Sequence, residues 1–151
     1  MSGSCAFCEI VAGTRKQEVV LERDGVVAFL CEPPATWGHL LVVPRTHRRD
    51  IWEIPREEAH AVMDAALLLS AVVRDELGAA GVNLRQNNGH AAGQDVFHFH
   101  LHVVPRYPGD TLGRGCVWGA PPGRPPAGGE AERRRVAEAV RAGVGRESPG
   151  A

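Results

Sequence analysis

Residues 18 to 31 read EVVLERDGVVAFLC, two short β-branched apolar runs on either side of Asp24-Gly25. That dipeptide suits the positive backbone angles of a two-residue turn, so the segment is predicted as a β-hairpin. The prolines and glycine between Glu32 and Gly38 stop the second strand, and the apolar run from His39 to Pro44 reads as a third. From Pro55 the period changes to that of a helix. Pro55 suits the first turn, Glu57 and Glu58 favour its positive end, and apolar residues recur at Val62, Leu69 and Val73 up to Leu77, where Gly78 supplies a stop. Beyond Gly81, VNLRQNNG reads as a strand entering a polar turn, and QDVFHFHLHVVPR as a second strand paired with it. Residues 1–118 are thus expected to form one domain. Residues 119–129, GAPPGRPPAGG, hold too much proline and glycine for regular structure and are expected to tether a C-terminal helix over 130–145, with 146–151 a disordered tail.

Composition narrows the class of function. At 151 residues and 44% hydrophobic, the chain supports one compact core. Its 17 basic and 18 acidic residues leave a net charge of -1, with no broad field to attract nucleic acid or anionic membrane, so an anionic substrate must be held locally. The run Arg133 to Arg135 is read as the solvated face of a surface helix. The start MSGSCAFCEI lacks the basic, then apolar, order of a signal peptide, and no stretch reaches the roughly 18 apolar residues of a membrane span, so the expected location is the cytoplasm. There Cys5, Cys8, Cys31 and Cys116 stay reduced, and a close pair is a metal clamp or a redox site before it is a disulfide.

The chemistry concentrates in His98-Phe99-His100-Leu101-His102. On a strand, alternate side chains share a face, which puts three imidazoles on one side and Phe97, Phe99, Leu101 and Val103 on the other. At about 3.3 Å per residue, His98 and His102 lie roughly 13 Å apart, so one ion cannot bind both, and at least one imidazole is left for proton transfer or nucleophilic attack. The preceding turn, Asn87-Asn88-Gly89-His90-Ala91-Ala92-Gly93-Gln94-Asp95, accepts left-handed angles and offers amides to an oxyanion. Cys5 and Cys8 have the spacing of a shared zinc ion, for which His47 and His98 are candidate third and fourth ligands. A thioredoxin-type redox pair competes with this reading, but such a motif opens a helix after a strand. Cys31 and Cys116 read as small buried hydrophobes.

These motifs resemble the histidine triad family. The resemblance covers CAFCEIVAG, GHLLVVPRTH at 38–47, NNGHAAGQDVFHFHLHVVPR at 87–106 and Trp118. It implies an α+β fold, an antiparallel sheet with one long helix and a C-terminal helix, and a homodimer in which the sheet continues across the two copies. The zinc-bearing bacterial branch implies structural zinc on Cys5, Cys8, His47 and His98. The family's chemistry would make His100 the nucleophile of a nucleotidyl-histidine intermediate, oriented by His39, with Asn87, Gly93, Gln94, Asp95 and His102 around the phosphate. Phe29 and Glu32 would belong to the nucleoside subsite. Two positions depart from the family: Cys31 stands where an aspartate grips the ribose hydroxyls, and Asp95 where some relatives carry serine. Cys31 cannot accept two hydroxyl hydrogen bonds as a carboxylate does, so either Glu32 takes that role or the substrate is not an ordinary ribonucleotide.

The leading expectation is hydrolysis of a nucleoside phosphoramidate or related conjugate through His100. Dinucleoside polyphosphate cleavage and nucleotidyl transfer are the alternatives within the fold. A nucleotide-binding regulatory module is opposed by the intact His39, His100 and His102, and a zinc-dependent nucleic-acid binder by the near-neutral charge.

Overall fold

A computed structural model describes residues 4–110, 112 and 129–147. Asp24 and Gly25 both take left-handed angles, φ 51° and 74°, so β1 (Val19–Arg23) turns directly into β2 (Val26–Leu30). β3 (Leu40–Pro44) follows the predicted proline loop, and β4 (Gly81–Arg85) and β5 (Leu101–Arg106) complete one antiparallel sheet in the order β1-β2-β3-β5-β4.

The sheet is covered on two sides, which is why β2 and β3 are buried along their whole length. On one face lie α2 (Arg56–Leu77) and α3 (Glu130–Glu147), packed over Val26, Ala28, Leu40, Val42, Leu101 and Val103. On the other lies the short α1 (Ala6–Val11), whose Phe7 and Ile10 meet Val27, Phe29, Leu41 and Val43. Pro55 caps α2 from outside its first turn, with ψ 149°, and Gly78 ends it in the left-handed region. α3 runs to Glu147, two residues past the limit read from the pattern, because Val144 extends the apolar face of Val136, Val140 and Gly143. Gly143 is required there: a Cβ on it would stand 2.6 Å from Val72 Cγ1 and 2.8 Å from Glu76 Cγ of α2. Cys116, Trp118 and all but Gly129 of the predicted tether lie outside the described residues. No helix among the described residues is long and apolar enough to cross a membrane.

The histidine segment is only partly strand. β5 begins at Leu101, so His98 and His100 precede it, in contrast to the uninterrupted ladder expected. Extending the β3–β5 register would set Phe99 opposite Pro44, which has no amide to donate. The freed groups bond elsewhere: the Phe99 amide to the Arg48 carbonyl, and the His98 ring to the Pro44 carbonyl. Phe99, Leu101 and Val103 still face the helices. Phe97 does not join them. It packs on the His90 ring at 4.6 Å, under the Arg49 guanidinium at 5.0 Å.

Candidate active site

One row of paired residues crosses all five strands: Val19, Phe29, Leu41, His102 and Arg85. Directly opposed residues project to the same face, so this row forms a floor that is apolar at the β1 end and polar at the β4 end. Over its polar half opens a cleft of about 500 Å³ lined by Phe7, Cys31, Glu32, Leu41, Arg85, Asn87, Gly93, Asp95, Val96, His100 and His102. A second, more apolar cavity of about 390 Å³, between the Leu30–His39 loop and α3, shares Cys31 and Glu32 with it.

Hydrogen bonds assign the protons of the imidazoles. The Ala35 amide donates to His39 Nδ1 at 3.0 Å, so the hydrogen of neutral His39 is on Nε2. From there it is given to His102 Nδ1, 2.9 Å away, leaving the hydrogen of His102 on its own Nε2. His100 Nδ1 donates to the His98 carbonyl at 2.7 Å, which leaves His100 Nε2 with a bare lone pair. His98 Nε2 donates to the Pro44 carbonyl at 2.9 Å, which leaves its Nδ1 bare. All four rings are held neutral, each chiefly by burial: His39 is pushed down to about 4 and His102 to about 3, and His98 and His100 also lie below the usual histidine range. The positive charge of Arg85 adds to the shift of His102, while the carboxylate of Asp95 opposes that of His100. His39 therefore bonds to His102. The partner that orients His100 is the His98 carbonyl, not His39 as the resemblance implied.

The 87–95 turn is built from its own side chains. Gln94 is 1% exposed. Its Oε1 accepts from the Gly89 amide, and its Nε2 donates to the Arg49 and Val96 carbonyls, so it braces the loop from beneath and does not line the cleft. Asn87 bridges the Arg85 guanidinium and the Gly93 carbonyl. Gly93 and Asp95 do line the cleft. Phe29 is a buried part of the floor and does not itself line the cleft; the ring of Phe7, edge-on to it at 5.3 Å, covers it. Glu32 sits at the rim, paired with Arg133 of α3. Cys31 also lines the cleft, its thiol pushed up to about 12 by burial and then by Glu32.

Four lining residues escaped the sequence reading: Leu41 and Val96, which add apolar wall, and Phe7 and Arg85, which flank His100 and His102. Phe7 stands edge-on to His100, 5.2 Å between ring centroids at 84°. Its place between Cys5 and Cys8 was the signal, since a clamp that fixes those two fixes it. Arg85 was hidden in a strand, and only the register that sets it opposite His102 marks it.

Cys5, Cys8, His47 and His98 each offer one ligand atom, all within 4.8 Å of one another. The bare Nδ1 of His98 lies 3.6 Å from Cys5 Sγ and 3.5 Å from Cys8 Sγ, and His47 Nδ1 lies 3.2 Å from Cys8 Sγ. Two sulfurs and two imidazole nitrogens in one cluster, with the far nitrogen of His98 anchored on a backbone carbonyl, fit a tetrahedral zinc ion. The Cys8 thiol is pushed up to about 11 by burial and by Cys5, a proton that an ion would displace. Cys31, His39 and His102 also cluster within 4.8 Å. That trio does not suit a metal, because the facing nitrogen of His39 already carries a proton and gives it to His102.

The HIT domain profile matches residues 12–109. The protein Hit of Bacillus subtilis is 42% identical over 115 residues, covering 76% of this chain and 79% of that one. An Arabidopsis thaliana adenylylsulfatase, HINT3, is 32% identical over 118 residues, covering 78% of this chain and 57% of that one. The crystal structure of a zinc-bound histidine triad family protein from Mycobacterium smegmatis superposes with a TM-score of 0.82 at 34% identity, covering 96% of each chain.

Proposed function

The chain belongs to the HIT domain family, and from that premise we propose that it hydrolyses a nucleotide conjugate, breaking a phosphorus–nitrogen or phosphoric anhydride bond by attack of His100 on phosphorus. The observation that carries this reading is the 2.7 Å bond from His100 Nδ1 to the His98 carbonyl. It sets the tautomer and directs the free lone pair of Nε2 into the cleft. That pair forms the nitrogen–phosphorus bond, the bond to the leaving group breaks with its electrons on the departing atom, and a water then attacks phosphorus. The nitrogen–phosphorus bond breaks in turn, its electrons return to Nε2, and the water's proton passes to solvent.

The other residues divide the work. His102 presents its Nε2 hydrogen to the phosphoryl group, and His39 acts as a positioning residue by fixing that tautomer. Gly93 and Asp95 border the phosphate, Asn87 holds the turn, and Phe7, Leu41 and Val96 offer an apolar wall to the nucleoside, with Glu32 at its rim. A relative that cleaves adenylyl sulfate supports a nucleotide substrate and an anhydride bond. In the metal site, zinc would supply a structural cross-link between α1, His47 and His98, and with all four positions taken by protein it would have none open to substrate. That link holds Phe7 against His100. We further propose a homodimer joined along β4, one of the two edge strands, where Leu84 is 43% exposed. The near-neutral charge favours a small anionic substrate over nucleic acid, and a cytoplasmic location suits the free thiols.

The test is incubation of the protein and its His100→Ala variant with adenosine and guanosine 5′-phosphoramidates and with a mixed anhydride of AMP, following monophosphate release by chromatography. Release by the unsubstituted protein alone is expected. Equal release by the variant would overturn the assignment of His100.

A further inference from the structure

We propose that Arg85 is a specificity-determining residue that selects substrates whose leaving group departs as an anion, an acid anhydride in preference to an amidate. The inference rests on the hydrolytic reading above and narrows its substrate class.

Arg85 closes β4 directly opposite His102 of β5, so the two side chains rise from neighbouring positions on the same face of the sheet and line the same cleft. The guanidinium is held in place rather than free to sweep. Its Nε donates to Asn87 Oδ1 at 2.7 Å, and Asn87 Nδ2 in turn donates to the Gly93 carbonyl at 3.1 Å. Gly93 borders both groups, since a Cβ there would lie in ordinary contact, 3.7 Å, with Arg85 Nη2 and Asn87 Nδ2. Of the charged groups that line the cleft, Glu32 sits at the rim in an ion pair with Arg133, Asp95 belongs to the 87–95 turn, and Arg85 stands opposite His102. Charge is thus divided in the cleft, the carboxylates on the rim and the turn and the guanidinium beside His102.

That division matters for the group that leaves. An amine departs readily only if it takes up a proton as its bond to phosphorus breaks, which calls for an acid in the cleft. His102 is the donor that faces the reaction, and it is neutral, held far below the usual histidine range by burial and by His39, His100 and Arg85. Its Nε2 hydrogen serves as a hydrogen-bond donor, not as the proton of an imidazolium. A sulfate, phosphate or carboxylate needs no proton. When His100 Nε2 bonds to phosphorus and the phosphorus–oxygen bond breaks, the electron pair stays on that oxygen, and the new charge meets the guanidinium of Arg85 and the N–H of His102.

The test compares the mixed anhydride of AMP and sulfate with AMP phosphoramidate, two substrates with one nucleotide and different leaving groups. In the full-length protein Arg85→Gln should lower kcat/KM for the anhydride by roughly 10- to 100-fold more than for the amidate, the range of a charge-assisted hydrogen bond. An equal loss on both, or no loss, would overturn the proposal. Dissociation constants of both compounds measured by calorimetry in His100→Ala protein, with and without Arg85→Gln, give a readout that needs no turnover. There the second substitution should weaken the anhydride selectively. Selective weakening with no turnover by the unsubstituted protein would sink the hydrolytic reading and leave the preference of Arg85 standing. Equal weakening would sink the preference alone.

Discussion

His39 Nε2 and His102 Nδ1 lie 2.9 Å apart, and because the Ala35 amide occupies the other nitrogen of His39, the hydrogen between the two rings belongs to His39. The backbone of the proline loop thereby decides which nitrogen of a strand residue faces the cleft. A glutamine at 39 can still donate to His102, whereas a leucine cannot. His39→Leu is expected to lower kcat by roughly 10- to 100-fold, the cost of one buried hydrogen bond in the reacting state, and His39→Gln by clearly less. Steady-state kinetics of the two variants would check this, and equal losses would argue against the relay.

The same burial makes stability depend on pH. His39 titrates at about 4 in the folded chain, against the ordinary value of 6.5. Between these values the unfolded chain binds the extra proton, so stability falls as pH is lowered from 6.5 towards 4, at about 1.4 kcal/mol per pH unit for each such imidazole. Thermal unfolding of His39→Leu should show a shallower pH dependence across that window than the unsubstituted protein. Parallel curves would contradict it.

Removing the metal should loosen the site as well as the fold. If zinc ties Cys5 and Cys8 to His47 and His98, a strong chelator or Cys5→Ser is expected to lower the melting temperature by roughly 10 °C, what about 3 kcal/mol does to a domain of this size. Elemental analysis should find about one zinc per chain. Because Phe7 rests edge-on against His100, the His100 ring resonances should also broaden or shift on metal loss, a change that a remote structural ion would not produce.

Gly143 of α3 leaves no space for a side chain against Val72 and Glu76 of α2. Gly143→Ala is expected to destabilise the protein by about 1–3 kcal/mol, the usual penalty of overpacking a core, measurable by urea unfolding. An unchanged midpoint would mean that α3 is free to shift.

Much of this was legible in the sequence, for local reasons. The Asp24-Gly25 hairpin and the α2 boundaries at Pro55 and Gly78 follow from turn chemistry and period, and the α+β class is what the family resemblance implied. The Cys5–Cys8 spacing pointed to a cluster that His47 and His98 do complete. What pattern could not supply was the third dimension. Strand register, which comes from tertiary pairing, is needed to see that Arg85 faces His102. That Gln94 points inward while Asp95 lines the cleft depends on how one turn folds over Arg49 and Val96. The histidine run looked like unbroken strand because alternation survives in it, yet with Pro44 on the neighbouring strand the ladder stops at Leu101, one residue short of His100.

The central claim is that His100 Nε2 becomes bonded to phosphorus. Intact-protein and peptide mass spectrometry of a reaction with the AMP–sulfate anhydride, quenched in alkali within the first turnovers, should show one adenylyl group on the peptide that contains His100, absent from His100→Ala protein. Turnover in which His100→Ala retains the rate of the unsubstituted protein, with no adduct at His100, would contradict it.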